Sequence, residues 1–290
     1  MFDFIANNTW LFILLTFLFS LAIGSFLNVI IYRLPIMLDK NWRHACLEYL
    51  GESPKRECFN LMIPSSHCPH CHKKIKFIEN IPLISYICLG GKCSACQNTI
   101  PFRYFLVELL TALLAVVVAY EVSLSMTFFA ALIFTYFLVA IAFIDIEHQI
   151  LPDILCIPLL WLGLLFGCLN IYSNSRDAIL GAVIGYGFFW IIGKTFKLIT
   201  KQDGIGEGDY KLIAAAGAWL GWQMLPFIIL TSGLLGLIIG GGFLLIKRLP
   251  RSTPIPFGPF IVVAAWIGLL WGFDITQAYL HLFGIYWSNV

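Results

Sequence analysis

The chain has 290 residues, of which 60% are hydrophobic and only 12% are charged. Soluble domains carry about 25% charged residues, so this composition, with a mean hydropathy of +0.87, excludes a soluble protein and indicates an integral protein of the lipid bilayer. The net charge of +2 points to no particular partner, and we expect no nucleic acid among the partners.

Apolar runs of about 20 residues predict membrane-spanning helices. The stretch 212–246 is too long for one helix, and Gly221-Trp222-Gln223 with Pro226 predicts a turn inside it. The first run lacks the basic start of a cleaved signal peptide, so we expect it to be a retained helix. The sequence therefore predicts an all-α polytopic membrane protein of about eight transmembrane helices. The predicted spans are 10–32, 104–122, 126–144, 151–171, 178–196, 212–226, 227–246 and 256–276.

Lysine and arginine residues predict the orientation of these spans, because cytoplasmic loops carry an excess of positive charge. Ten of them lie between residues 33 and 103, four at 194–211 and three at 247–251. With eight spans and the N-terminus outside, all seventeen lie on one side, and only Arg176 lies on the other. We therefore expect a periplasmic N-terminus, a periplasmic C-terminus and a large cytoplasmic segment after the first span.

That cytoplasmic segment contains two cysteine pairs, "CPHC" and "CSAC", in the pattern C-x2-C-x21-C-x2-C. Two thiolate pairs on tight turns can meet around one tetrahedral Zn²⁺, and disulfides are the poorer explanation for cytoplasmic cysteines. We predict a structural zinc site, since a closed shell of four thiolates leaves no open coordination position. Redox-active or metal-free thiols remain the alternative. The predicted ligands are Cys68, Cys71, Cys93 and Cys96.

Other residues around these pairs have simpler interpretations. Three histidines next to the first pair could compete as ligands, although the four cysteines already complete the set. The remaining cysteines are predicted to be ordinary packing residues. The histidines are His67, His70 and His72, and the cysteines are Cys46, Cys58, Cys88, Cys156 and Cys168.

Two acidic residues stand where predicted spans meet the cytoplasm. Asp145 ends the third span, and Asp209, within the glycine-rich stretch "GIGEGDYK", opens the sixth span. The topology places both at the same depth although 64 residues separate them, and ionisable residues inside a membrane are functional candidates by default. Two carboxylates in a poorly hydrated site can share a proton, with one activating water and the other protonating a leaving amine. The alternative is that each caps a loop or pairs with Lys211 or His148.

Several blocks of the chain resemble the type IV prepilin leader peptidases, which are bifunctional membrane aspartic proteases and N-methyltransferases. The similarity runs along almost the whole chain. "DIEHQILPD" resembles the first catalytic segment of the family, and "GIGEGDYKL" resembles the second, which is built on a GxGD core. The supporting blocks are "GSFLNVIIYRLP" at 24–35, the two CxxC pairs, "NIPLISY" at 80–86 and "RYFLVE" at 103–108.

The resemblance implies specific roles for the candidate residues. Asp145 and Asp209 match the catalytic aspartates, and the four cysteines match the metal site of the bifunctional members. It implies cleavage of the leader peptide of type IV prepilins and type II secretion pseudopilins at the cytoplasmic face of the bacterial inner membrane. It also implies N-methylation of the new N-terminal residue with S-adenosylmethionine as methyl donor, whose binding residues the sequence does not identify.

The expected domain organisation follows from the spans and the resemblance. Residues 1–32 form the first transmembrane helix, residues 33–103 a cytoplasmic zinc-binding insert associated with methyl transfer, and residues 104–290 the transmembrane aspartic peptidase core.

Two other classes of protein remain possible from the residues alone. A transporter or channel with a structural zinc module is one, since "VIGYG" at 183–187 has the letters of a potassium filter. Helix packing through Gly181 and Gly185 is the better account of that segment. A presenilin-type intramembrane protease is the other, and the CxxC insert and the "GSFLNV" block argue against it.

Overall fold

The computed structural model describes residues 8–52, 59–76, 78–201, 204, 206–248, 250 and 253–282. In these ranges the regular structure is helical, apart from two isolated antiparallel bridges. Short 3₁₀ turns lie at Ile78–Asn80 and Trp222–Met224, and a π-helical turn lies at Gly236–Gly240. The helices are α1 (Thr9–Tyr49), α2 (Ile84–Cys88), α3 (Arg103–Glu121), α4 (Met126–His148), α5 (Asp153–Cys168), α6 (Ser175–Thr200), α7 (Glu207–Leu220), α8 (Leu225–Leu235), α9 (Gly241–Lys247) and α10 (Gly258–Leu282).

Within the described residues, six helical segments are long and apolar enough to cross a membrane, which confirms the predicted all-α polytopic membrane fold. The remaining two predicted spans correspond to the shorter helices α5 and α7, of 16 and 14 residues. The turn predicted between the sixth and seventh spans is present, because α7 ends at Leu220 and the next residue, Gly221, has a φ of +83°. The count of eight is therefore approximate, resting on six long helices and two short ones.

Helix α1 is longer than the sequence analysis predicts. The apolar run ends near residue 32, but the helix continues to Tyr49 through Pro35. An ion pair of 2.9 Å between Arg43 and Asp39, spaced four residues apart, supports the polar extension. Hydropathy marks only the part of a helix that lies in lipid, so the polar continuation has no signal in a search for apolar runs.

The chain divides into two compact units, and the first ends at Leu124. In this unit α1 packs along α3. The helices approach closely at Gly24, where an added Cβ would lie 2.8 Å from the Cα of Glu108. The Asn28 side chain donates to the carbonyl of Tyr104 at 2.9 Å. The small residue allows the close contact, and the polar bond fixes the register of the pair.

The second unit begins at Ser125 and contains a largely buried short helix, α7. Every residue from Asp209 to Trp219 is buried except Lys211. Helices α5, α6 and α10 pack against it. Gly181 of α6 meets Gly217 of α7 backbone to backbone, so neither position has room for a Cβ. Protein surrounds α7, and this packing compensates for a length too short to span a bilayer unaided.

The packing of α6 also tests two interpretations of its glycines. Gly185 lies against the backbone of Ile213, so the predicted packing through Gly181 and Gly185 is confirmed. Residues 183–187 lie inside the continuous helix Ser175–Thr200. A filter needs irregular backbone whose carbonyls face ions, so this segment is not one.

The cysteines outside the two pairs agree with the prediction only in part. Cys156 is fully buried and packs in the second unit as expected. Cys46, Cys88 and Cys168 are exposed, so the prediction that they are packing residues is wrong. Two of them, Cys46 and Cys88, lie in the first unit, where an isolated cysteine carries no information about burial. Cys58 lies outside the described residues.

Candidate active site

Asp145 lies in the last turn of α4 and is 5% exposed. The helix ends there because Gln149 adopts a left-handed conformation and returns its N–H to the Asp145 carbonyl at 2.9 Å. The carboxylate itself accepts the N–H of Gly258 at 2.9 Å on Oδ2. Gly258 is the first residue of α10. A carboxylate at the C-terminus of its own helix is unfavourable, and its position at the N-terminus of a second helix offsets that cost.

Asp209 is the third residue of α7 and is 8% exposed. Its N–H donates to the carbonyl of Gly206 at 3.1 Å, and its carboxylate accepts the Gly206 backbone N–H. Gly206 is the residue that caps this helix, so the acid returns to the cap as in a capping box. Helix α7 therefore begins with an acid that is both buried and oriented by its own first turn.

The structure brings these two aspartates together. They interact electrostatically across 64 residues of chain. Leu151, which follows α4, lies between their supports: added Cβ atoms would lie 2.6 Å from its Cβ at Gly208 and 3.0 Å from its Cδ2 at Gly258. One side chain thus contacts both the residue before Asp209 and the glycine that holds Asp145. The arrangement is a buried pair of carboxylates built from three helices.

The structure excludes ion pairing with Lys211 or His148 as the explanation for these acids. Lys211 pairs with Asp153 at 2.6 Å, and the near neighbour of His148 is Glu147 at 3.9 Å. In the part of the chain that the structure describes, neither Asp145 nor Asp209 forms an ion pair with a cation. Burial of a charge without a counter-charge is unfavourable, so this pair is a candidate for a functional site.

The two CxxC segments form a second candidate site, in the first unit. Each is a tight turn closed by backbone bonds: Cys68 N–H to Lys73 O at 3.0 Å, and Cys93 N–H to Asn98 O at 2.8 Å. The residue after each pair, His72 or Gln97, has a positive φ. The two turns are thus conformational copies of one another, as expected for zinc knuckles.

The four sulfurs meet in a small cluster. The Sγ atoms of Cys68 and Cys96 are 3.8 Å apart, those of Cys71 and Cys93 are 3.9 Å apart, and all four lie within 4.8 Å of one another. A tetrahedral Zn²⁺ with Zn–S bonds of about 2.3 Å has S···S edges of about 3.8 Å. The cluster therefore fits a zinc ion in both ligand number and size.

Backbone amides at two of the four cysteines also suit a metal. Backbone N–H groups of Cys96 and Ala95 donate to Cys93 and lower the pKa of its thiol to about 6. The corresponding amides of Cys71 and His70 lower the pKa of Cys68. Metal binding needs thiolates, and these amides favour them. No histidine of the described residues belongs to the four-residue group, so the predicted cysteine set agrees with the geometry.

Sequence reasoning missed two residues of the aspartate site, Leu151 and Gly258. Leu151 lies in the segment "DIEHQILPD", but nothing in the sequence indicates that its side chain contacts two distant glycines. Gly258 had a weak signal, because it lies between Pro256 and Pro259 at the start of the last span. A glycine at the start of a span, on the same predicted side as both acids, would have been the signal to follow.

Comparisons with known proteins give two matches within the chain. Residues 18–122 match the bacterial peptidase A24 N-terminal domain, and residues 132–241 match the type IV leader peptidase family. No solved structure matches the chain.

Relatives of similar length cover almost all of the chain and share one name, prepilin leader peptidase/N-methyltransferase. The protein of Aeromonas salmonicida (strain A449) is 50% identical over 275 residues, which are 93% of this chain and 94% of that protein. The protein of Pseudomonas aeruginosa (strain PAO1) is 47% identical over 284 residues, 97% and 98% of the two chains. That of Legionella pneumophila is 40% identical over 278 residues, 95% and 97%.

Proposed function

The chain belongs to the prepilin leader peptidase/N-methyltransferase family, and from that premise we propose that it cleaves the leader peptide of type IV prepilins and methylates the new N-terminal amine. The resemblance noted in the sequence is thereby confirmed. High identity over nearly the full length of both chains supports both activities, since each family segment is matched.

Asp145 and Asp209 are the proposed catalytic residues. The observation that carries this assignment is their convergence, as buried interacting carboxylates, from helix ends 64 residues apart in sequence. Each carboxylate accepts a backbone N–H from a glycine, Gly258 or Gly206. Such fixed donors orient a carboxylate and leave its other oxygen for chemistry.

The proposed mechanism is hydrolysis by an aspartate dyad. The ionised carboxylate removes a proton from water as the oxygen attacks the scissile carbonyl. The protonated carboxylate donates its proton to the departing amine as the C–N bond breaks. The proton taken from water replaces the one donated, so the dyad returns to its starting state. The two acids act as one coupled pair, and the acid and base roles belong to the pair.

The substrate is proposed to lie beside the spans of this protein in the bacterial inner membrane. A prepilin joins a short basic leader to a hydrophobic helix, and burial of that helix in the bilayer would hold the scissile bond at the membrane interface. Binding energy from the apolar helix is then available to position the bond against the dyad. The distribution of positive residues supports a cytoplasmic dyad and periplasmic termini.

Zinc is proposed to bind Cys68, Cys71, Cys93 and Cys96 as a structural ion. The sulfur spacing supports a tetrahedral shell closed by protein ligands. A closed shell leaves no position for water or substrate, so the ion would stabilise the insert at 33–103 and take no part in proteolysis. The larger division into this insert and a peptidase core at 104–290 remains part of the proposal.

S-adenosylmethionine is the proposed methyl donor, and when bound it would supply the methyl group for the new N-terminal amine. The first unit is the proposed location, because it contains the matched A24 N-terminal domain. Type II secretion pseudopilins are proposed as further substrates, since they share the leader and apolar helix that prepilins present. The rival view of a transporter or channel loses its main motif, because residues 183–187 are helical.

The test is a cleavage and methylation assay with the full-length protein in lipid nanodiscs. A purified type IV prepilin is incubated with and without S-adenosylmethionine, and the products are weighed by mass spectrometry. We expect loss of the leader in both samples and the mass of one added methyl group only with the donor. A parallel sample with a pseudopilin tests the broader substrate range. An intact prepilin in both samples would contradict the proposed function.

A further inference from the structure

The backbone conformation at Gly258 does not require a glycine. The described glycines with a positive φ are Gly51, Gly90, Gly91 and Gly221, so Gly258 has a conformation that other residues adopt. It is buried at the first turn of α10. The reason for a glycine must therefore be sought in the space around it.

That space is filled by the carboxylate of Asp145. A Cβ built on Gly258 would lie 2.6 Å from Asp145 Oδ2 and 3.0 Å from Leu151 Cδ2. Ordinary contacts of a Cβ begin at 3.4 Å, so an alanine would have to displace the carboxylate by about 0.8 Å. The Gly258 N–H donates to the same oxygen at 2.9 Å. Both the donor and the missing side chain thus act on one atom of the dyad.

Gly206 provides an internal comparison. It also has an ordinary φ, of −67°, and its N–H also reaches a carboxylate of the pair, that of Asp209. A Cβ there would lie 3.2 Å from Asp209 Oδ2, a much milder contact. The two acids are therefore held in the same way, one by the glycine of its own helix and the other by a glycine 113 residues away.

We propose that Gly258 is a positioning residue for Asp145, holding Oδ2 by its N–H while the lack of a side chain leaves the carboxylate its place in the dyad. This inference rests on the proposed function. It assigns to the start of α10 a part in proteolysis beyond the two aspartates and the glycine-rich segment. It also predicts that an alanine at Gly258 lowers the cleavage rate more than an alanine at Gly206 does.

The test compares Gly258→Ala with Gly206→Ala and with Gly241→Ala, whose added Cβ would meet open space. Cleavage of prepilin is measured as kcat and KM in nanodiscs, together with methylation of a pilin already cleaved. For Gly258→Ala we expect kcat to fall by about 10- to 100-fold, since a displacement of about 1 Å can cost 10²-fold. KM and methylation should be unchanged, Gly206→Ala should lose less, and Gly241→Ala should behave as the wild type.

Pro259 supplies a second control, because a residue before proline is itself restricted. If the need for glycine came from Pro259, the double variant Gly258→Ala/Pro259→Ala would recover activity, and the inference would be overturned. We expect no recovery. A normal kcat for Gly258→Ala, or a fall in methylation equal to the fall in cleavage, would also overturn it.

A variant that is unstable still decides the question. If Gly258→Ala lowers the unfolding temperature, we expect Asp145→Ala in the same chain to restore it, because the atom in the way is removed. Failure to restore stability would contradict a contact with the carboxylate. Loss of the proposed function is recognised separately: wild type would then not cleave prepilin, or Asp145→Asn would still do so.

Discussion

The cysteine cluster and the aspartate pair hold their functional atoms in opposite ways. Each cysteine turn is made within a few residues, and its two copies close by the same backbone bonds. The aspartates lie at ends of different helices and depend on a third helix for Gly258. The geometry of a site made of local turns can be predicted from residue spacing. The geometry of a site made of distant helices depends on how closely those helices pack.

The strongest test of this comparison removes one acid at a time. Asp145→Asn or Asp209→Asn should lower cleavage by about 10²- to 10⁴-fold, the range for loss of general acid–base catalysis. Zinc content should be unchanged, because the cysteine cluster is formed within its own segment. Cleavage is measured with prepilin in nanodiscs and zinc by elemental analysis. Normal processing by Asp209→Asn would remove the dyad from consideration.

A second test removes the metal site without touching the dyad. Cys93→Ser should abolish the stoichiometric zinc of the purified protein, since a structural site needs its full set of thiolates. We expect methylation to fall sharply and the cleavage rate to change by less than about tenfold, as the aspartates keep their own supports. Cys88→Ser, at an exposed cysteine outside the cluster, is the matched control. Equal zinc in both variants would show that the cluster binds none.

The third test concerns the packing on which the distant site depends. Gly217→Ala would force α7 away from the backbone of Gly181, and overpacking of this kind costs about 1–3 kcal/mol. A lower unfolding temperature should accompany a reduced cleavage rate, because α7 carries Asp209. Gly233→Ala, with open space around its Cβ, should change neither. Normal stability of Gly217→Ala would contradict the close helix contact.

The smallest expected effect comes from the ion pair beside the dyad. Asp153 and Lys211 are 2.6 Å apart, but both side chains remain partly exposed, at 56% and 30%. Exposed pairs contribute about 0–1 kcal/mol, so Asp153→Asn should lower stability only slightly and leave most of the cleavage activity. Thermal unfolding and the prepilin assay measure both. A loss as large as that of Asp145→Asn would show that this acid belongs to the catalytic group.

These differences explain what the sequence alone could predict. The spans were found because lipid selects apolar side chains, and the cysteine site was found because its spacing determines its geometry. Asp145 and Asp209 could be paired only through topology and a family resemblance. The role of Gly258 could not be predicted, because its contact with Asp145 joins residues 113 positions apart. The start of α7 at Glu207 was placed too late, since Glu207, Asp209 and Lys211 interrupt the apolar run.

The length of α1 has a mechanical consequence for the first unit. Its 41 residues extend about 60 Å, about twice the hydrocarbon thickness of a bilayer. The part of α1 beyond the lipid is therefore a helical extension that continues directly from the first span. The buried Arg33 ties the loop at 60–64 to its base by donating to three backbone carbonyls. Pro35 lies two residues beyond Arg33 and removes one backbone hydrogen bond of the helix. We therefore expect any bending of this helical extension to occur at Pro35.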